Sequence, residues 1–142
     1  MTSSEPSGCL FCAIAAGDVD AHVVLDEPHV LAFLDHRPLF PGHTLLISRE
    51  HHETLTDLPA EAIGPYFQVA QRLAAAVKDA MGAQGTFVAM NNIVSQSVPH
   101  LHVHVVPRVR KDGLRGFFWP RTKYESDDEA AGVAARISAE LR

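Results

Sequence analysis

The stretch "SVPHLHVHVVPR", residues 97–108, carries histidine at alternate positions, His100, His102 and His104, with Leu101, Val103, Val105 and Val106 between and after them. Two residues is the side-chain period of a β-strand, so the three imidazoles share one face of a sheet while Leu101, Val103 and Val105 share the other. A helix would scatter them. The aliphatic and β-branched neighbours support a strand, and Pro99 and Pro107 are expected to bracket it. One face is then apolar and the other is lined by groups that titrate near neutral pH. A face that serves only solubility uses Lys, Glu or Thr, so the histidine row marks a site.

Around this strand lies one domain's worth of chain. Its 142 residues, 46% hydrophobic and 20% charged, suffice for a single core. A formal net charge of -5 argues against binding a nucleic-acid polymer, which requires clustered Lys and Arg, but is compatible with a small phosphorylated ligand. No apolar run reaches the length of a membrane span, and "MTSSEPSG" lacks the basic and apolar regions of a secretory signal, so the cytoplasm is the expected compartment. Cys9 and Cys12, in "CLFC", are spaced as a metal or redox pair and not as a disulfide scaffold.

Residues 1–7 are expected to be a disordered tail, and residues 8–142 a single domain, because no repeat or linker divides them. A short helical turn around residues 9–16 precedes "HVVLDEPHVLAFLD", which reads as two strands turning at Glu27 and Pro28. "HTLLIS" from His43 and "TFVAMN" from Thr86 supply the third and fourth strands, and the histidine run the fifth. Ile63, Tyr66, Phe67, Ala70, Leu73, Ala74, Val77 and Met81 recur at three-and-four spacing, which predicts a long amphipathic helix stopped by Gly82, with Pro65 breaking its first turn. Ser126 and Glu129 have the spacing of a capping box ahead of Val133, Ile137 and Leu141, which predicts a terminal helix. This order predicts an α+β fold with an antiparallel sheet and its helices on one side. Trp119 reads as a packing or dimer residue, and His22, His29 and His43 as structural or surface residues without an evident partner.

"HLHVHVV" from His100 resembles the histidine triad (HIT) signature, and the likeness runs from "CLFCAIAAGDVDAHVVLDEPHVLAFLD" through "RPLFPGHTLLISREH" to "SQSVPHLHVHVVPR". The resemblance implies a five-stranded antiparallel sheet with a long helix and a C-terminal helix, a homodimer, and binding of purine nucleotides or their conjugates with attack at the α-phosphate. A neutral imidazole is both a good nucleophile towards phosphorus and a good leaving group, so one difficult displacement becomes two easier ones. By resemblance His102 is the nucleophile of a nucleotidyl-histidine intermediate that water hydrolyses, and its other ring nitrogen donates to a backbone carbonyl. His104 would contact phosphate, and His100 is the member least engaged with it. A third histidine, where transferase branches often carry glutamine, favours hydrolysis of a nucleoside phosphoramidate or dinucleoside polyphosphate.

Further roles are implied by position. Gln96 and Ser97 match the approach to the triad that surrounds phosphates and leaving group, with Ser97 joining His102 and His104 in catalysis. Asn91 matches a phosphate-contacting residue, Asp35 the carboxylate that accepts from both ribose hydroxyls, and Phe33 an aromatic position near the base. "NNIVSQ" is shorter than the family's loop, with Ser95 in place of a glycine, and His36 replaces an aliphatic residue of the base pocket. Some bacterial members complete a Cys-x-x-Cys pair with a histidine after the third strand and the first triad histidine, which here implies structural zinc on Cys9, Cys12, His51 and His100, with His52 the alternative to His51. Two other classes compete with the nucleotide hydrolase: a metal site built by the three triad imidazoles, and a nucleotide-binding regulatory module whose hydrolysis is incidental.

Overall fold

The structure, a computed structural model, describes residues 8–115 and 120–141; Trp119 and the expected N-terminal tail lie outside the described residues. In chain order the elements are α1 (Leu10–Ala16), β1 (Val23–Asp26), β2 (Val30–Leu34), β3 (Thr44–Ser48), a 3-10 turn (Leu55–Asp57), α2 (Ala60–Ala80), β4 (Gly85–Ala89), β5 (His102–Arg108) and α3 (Asp127–Glu140). The chain divides into one unit ending at Asp112 and a second beginning at Gly113 that contains α3.

All strand pairs are antiparallel, in the order β1-β2-β3-β5-β4. The histidine strand is therefore interior, paired with β3 from Thr44↔Val105 to Ile47↔His102 and with β4 from Gly85↔Arg108 to Ala89↔His104. Pro107 lies inside β5 instead of ending it. Gln84 N–H donates to the Arg108 carbonyl, so by alternation Pro107 turns its missing N–H to the opposite side, where β3 pairing has already stopped at Val105.

Period-two alternation gives the sheet two apolar faces. Val30, Ala32, Leu46, Leu101, Val103 and Val105 pack against Tyr66, Val69, Ala70, Leu73 and Val77 of α2. The Tyr66 hydroxyl donates to the Leu46 carbonyl at 2.7 Å, which satisfies the one polar atom of that ring in the core. On the other face, Leu31, Phe33, Leu45 and Ile47 pack with Phe11 and Ile14 of α1. The helices consequently cover both faces and not one: α1 is only 7 residues long, too short to show a face by periodicity, yet the second apolar face requires a cover.

Helix α2 runs unbroken through Pro65, which lies near enough to the N-terminus that only one intrahelical bond is lost, and it ends at Met81 with Gly82 in the left-handed region at φ 62. Gly42, at φ 99 in the turn before β3, brings the backbone so close to Met81 that an added Cβ would lie 2.7 Å from its Cγ. Arg49 joins the pieces that flank the site, donating to the carbonyls of Ala15 and Glu27 and pairing with Asp26. In the second unit, Ser126 caps α3 by accepting from Glu129 N–H at 3.1 Å. No helix among the described residues is long and apolar enough to cross a membrane.

Candidate functional site

The triad imidazoles lie on the α1 face, and each has a different partner. His102 Nδ1–H donates to the carbonyl of His100 at 2.7 Å. A carbonyl only accepts, so the Nε2 lone pair of His102 is free. The ring is buried, and that burial lowers its pKa against the opposing pull of the His100 carbonyl and Asp35. At neutral pH His102 is therefore an uncharged imidazole with one defined tautomer.

His104 is held by a residue outside the triad. Leu39 N–H donates to His43 Nδ1 at 3.1 Å, which leaves the proton of neutral His43 on Nε2. That Nε2–H donates in turn to His104 Nδ1 at 3.0 Å, and His104 then carries its proton on Nε2. Burial, followed by the nearness of His102 and His43, depresses His104 to a pKa of about 4. It is a neutral N–H donor at pH 7, and its ring lies 5.0 Å from that of His102. His43 is almost fully buried and lowered in pKa chiefly by burial. Sequence reasoning left it without a partner; its position one residue before β3, opposite the strand that carries His104, was the available signal.

Asp35 lies 3.7 Å from His43 Nε2, and its Oδ1 accepts from Arg37 N–H at 2.9 Å. His36 is exposed beside it. Asp35, His43 and His104 bring one ligand atom each within 4.8 Å of one another. The hydrogen bonds oppose a metal there, because a cation on His43 Nε2 would move the proton to Nδ1, the atom that already accepts from Leu39. Nor do the three triad rings converge on one point, since His100 turns to the cysteines.

Around His100 the donor set has the opposite character. His100 Nε2–H donates to the Ser48 carbonyl at 2.6 Å, which leaves Nδ1 as a lone pair, and burial lowers its pKa to about 4. That Nδ1 lies 3.2 Å from His51 Nδ1 and 3.5 Å from each of the Cys9 and Cys12 sulfurs. His51 Nδ1 lies 3.5 Å from Cys9 Sγ and 3.2 Å from Cys12 Sγ. A tetrahedral zinc site has edges of about 3.3–3.4 Å between nitrogens and about 3.5–3.6 Å between nitrogen and sulfur. The cluster therefore fits a metal in size and donor type, and the carbonyl behind His100 is the usual outer partner of a metal-bound imidazole. His51 is the member, while His52 lies by Glu50. The sequence brings the sulfurs together locally: Cys9 caps α1, and its Sγ accepts from Cys12 N–H at 3.3 Å.

The loop 91–97 is closed by its own side chains. Gln96 Oε1 accepts from Ile93 N–H, Gln96 Nε2–H donates to the Glu53 carbonyl at 2.6 Å, and Asn91 donates to the Ser95 carbonyl. The amide of Gln96 is thus committed to the loop. Ile93 and Ser95 occupy the left-handed region at φ 69 and φ 64, a strained conformation for residues other than glycine. Ser97 lines an open cleft of about 500 Å³ together with Cys9, His51 and Glu53. Phe33 is buried against Phe11, with ring centroids 5.4 Å apart. Asp35, His43, His102 and His104 come together; Ser97 borders the cysteine cluster, and Asn91 and Gln96 brace the intervening loop.

The HIT domain family model matches residues 16–111. Among solved structures, a HIT family protein from Bacillus subtilis is 32% identical, with TM-score 0.86 over 96% of this chain and 99% of that one. A zinc-bound histidine triad family protein from Mycobacterium smegmatis is 36% identical, with TM-score 0.72 over 94% of this chain and 98% of that one. A Schizosaccharomyces pombe protein named adenosine 5'-monophosphoramidase is 29% identical over 94% of this chain and 98% of its own length.

Proposed function

We propose that this chain, which belongs to the HIT domain family, is a nucleotide hydrolase that cleaves purine nucleotide conjugates at the α-phosphate through a nucleotidyl-His102 intermediate. One observation carries the reading: the 2.7 Å bond from His102 Nδ1–H to the His100 carbonyl leaves a neutral imidazole with Nε2 free beside a second imidazole whose only proton is on Nε2. In the first step the Nε2 lone pair forms a bond to phosphorus, the bond from phosphorus to the leaving group breaks, and the leaving group takes a proton from solvent water and departs neutral. His104 Nε2–H donates to the phosphoryl group, and His43 stands behind it to hold that tautomer. Water then displaces the imidazole and releases the nucleoside monophosphate.

Asp35 takes the ribose hydroxyls and Ser97 the phosphate or leaving group. The name of the fission-yeast relative favours an amine as the leaving group. Zinc would be held by Cys9, Cys12, His51 and His100; with four protein ligands it supplies a structural cross-link and leaves no position for a reacting water. A homodimer is part of the same reading: Ile63 and Phe67 on α2, Met81 at its C-terminal cap and Val88 on the edge strand β4 are exposed apolar residues that a second copy would cover. The working compartment is the cytoplasm.

The test is a rapid-quench reaction with an adenosine phosphoramidate and, separately, diadenosine tetraphosphate, followed by intact-mass analysis. An added nucleotidyl mass that disappears in His102→Ala is the expected result. No adduct and no product with either substrate would refute hydrolysis and favour a binding module.

A further inference from the structure

We propose that Phe11 is a positioning residue for His102. Its ring fixes the orientation of the imidazole whose Nδ1 is fixed by the His100 carbonyl, and both holds are anchored by the Cys9, Cys12, His51 and His100 cluster. This rests on His102 being the nucleophile.

A hydrogen bond at one ring atom fixes one point and the tautomer; the plane of the imidazole needs a second contact. Phe11 supplies it. The ring centroids of Phe11 and His102 are 5.0 Å apart with an interplanar angle of 90°. Edge-to-face packing of this kind is the favoured arrangement of two aromatic rings. Phe11 also meets His100 at 6.0 Å and 71°, so one side chain touches two triad members. It is 5% exposed, closed in by Leu31, Phe33, Leu45 and Ile47.

What holds Phe11 is as informative as what it holds. It lies between Cys9 and Cys12, in the turn closed by Cys12 N–H donating to Cys9 Sγ. The two sulfurs reach His100 Nδ1 at 3.5 Å, and the carbonyl of that same His100 accepts from His102. A helix of 7 residues is too short to be stable alone, so tertiary contacts determine where α1 stands: the cluster, the Arg49 bond to the Ala15 carbonyl and the packing of Phe11 and Ile14 on β2 and β3. A displacement of α1 would move the Phe11 ring and the His100 backbone together. Small errors in nucleophile orientation cost far more in the reacting geometry than in ground-state binding.

The experiment compares wild type, Phe11→Leu and Ile14→Ala, a truncation on α1 in the same apolar cluster that removes no ring from His102. Phe11→Leu is expected to keep the metal content of the wild type and nucleotide affinity within about threefold, while nucleotidyl-His102 formation at saturating phosphoramidate slows by at least about tenfold. Ile14→Ala is expected to stay within about threefold in both. An unchanged formation rate, a loss confined to affinity, or an equal slowing in Ile14→Ala would overturn the proposal. If Phe11→Leu does not fold, Phe11→Met takes its place.

Relaxation of the His102 ring carbon–hydrogen bonds in protein carrying labelled histidine reads the hold without substrate. Wild type should show a rigid His102 ring and Phe11→Leu a more mobile one, with the Nδ1–H tautomer kept in both by the His100 carbonyl; identical relaxation would overturn the positioning role. This readout stands even if no probe yields an adduct, so failure of the proposed hydrolysis is distinguishable from failure of the Phe11 assignment.

Discussion

His43→Phe tests the relay that ends on His104. Phenylalanine keeps a flat ring, somewhat larger than imidazole, and opens no cavity, so the main loss is of two hydrogen bonds: Leu39 N–H loses its acceptor, and His104 Nδ1 loses its donor. Leu39 is exposed, so water can take over at its N–H and the loss there is at the low end, about 0.5–1 kcal/mol. His104 is half-buried, and an unpaired nitrogen there costs about 1–2 kcal/mol. Urea unfolding at pH 7 should therefore show a loss of about 1.5–3 kcal/mol. The rate of adduct formation should fall further, by about a hundredfold, because the variant removes the group that keeps the His104 proton on Nε2, and one preorganised donor is worth that much in the transition state. His43→Gln, whose amide can donate and accept, should fall between the two. Metal content should not change, since His43 is outside the cysteine cluster. A His43→Phe protein with stability within about 0.5 kcal/mol of wild type and a rate within threefold would refute the relay, because both bonds would then be idle.

Three further outcomes follow from the geometry. His104 is depressed from an ordinary 6.5 to about 4, so between those values the unfolded chain binds the extra proton; stability is fully present above 6.5 and is lost as pH falls towards 4. Allowing for partial exposure, wild type should lose about 1 kcal/mol more than His104→Gln between pH 7 and pH 5 in urea titrations, and equal losses would contradict the burial argument. Elemental analysis of protein purified without chelator should find about one zinc per chain, absent in Cys9→Ser/Cys12→Ser, with that variant less stable by about 3 kcal/mol or more; a metal-free wild type would remove the cross-link from the proposed function. Ile93 is 64% exposed at φ 69, so Ile93→Gly sheds left-handed strain with little apolar burial to lose and should raise stability by about 0.5–1 kcal/mol; a destabilised variant would show that the loop depends on that side chain.

The strands were legible because their signals are local: the alternation around His102, and the short apolar runs in "VLAFL" of β2 and "TLLIS" of β3, buried at every position but Leu34. The three-and-four spacing of α2 and the Ser126 cap of α3 are equally local. Helix α1 was visible as a turn, but which face it covers was not, because 7 residues hold too few apolar positions to define a direction. Pro107 reads in the sequence as a strand end, since only the register of the neighbouring strands shows that its missing N–H has no partner to lose.

The candidate site divides along the same line. The motif in the sequence marked His102 and His104, and the resemblance it carries supplied the expectation of four metal ligands. The amino-acid order alone determines which side chains share a face, since that follows from backbone period. It does not determine which atoms of distant segments meet. His43 is 61 positions from His104 and Cys9 is 91 from His100, and only the pairing of β3 with β5 and the seating of α1 bring them together. Tautomers follow from those meetings: a ring nitrogen is donor or lone pair according to the carbonyl, N–H or imidazole it faces. Tertiary structure therefore decided which ring nitrogen of each histidine carries a proton and which offers a lone pair, and the roles proposed for His102, His104 and His100 rest on that.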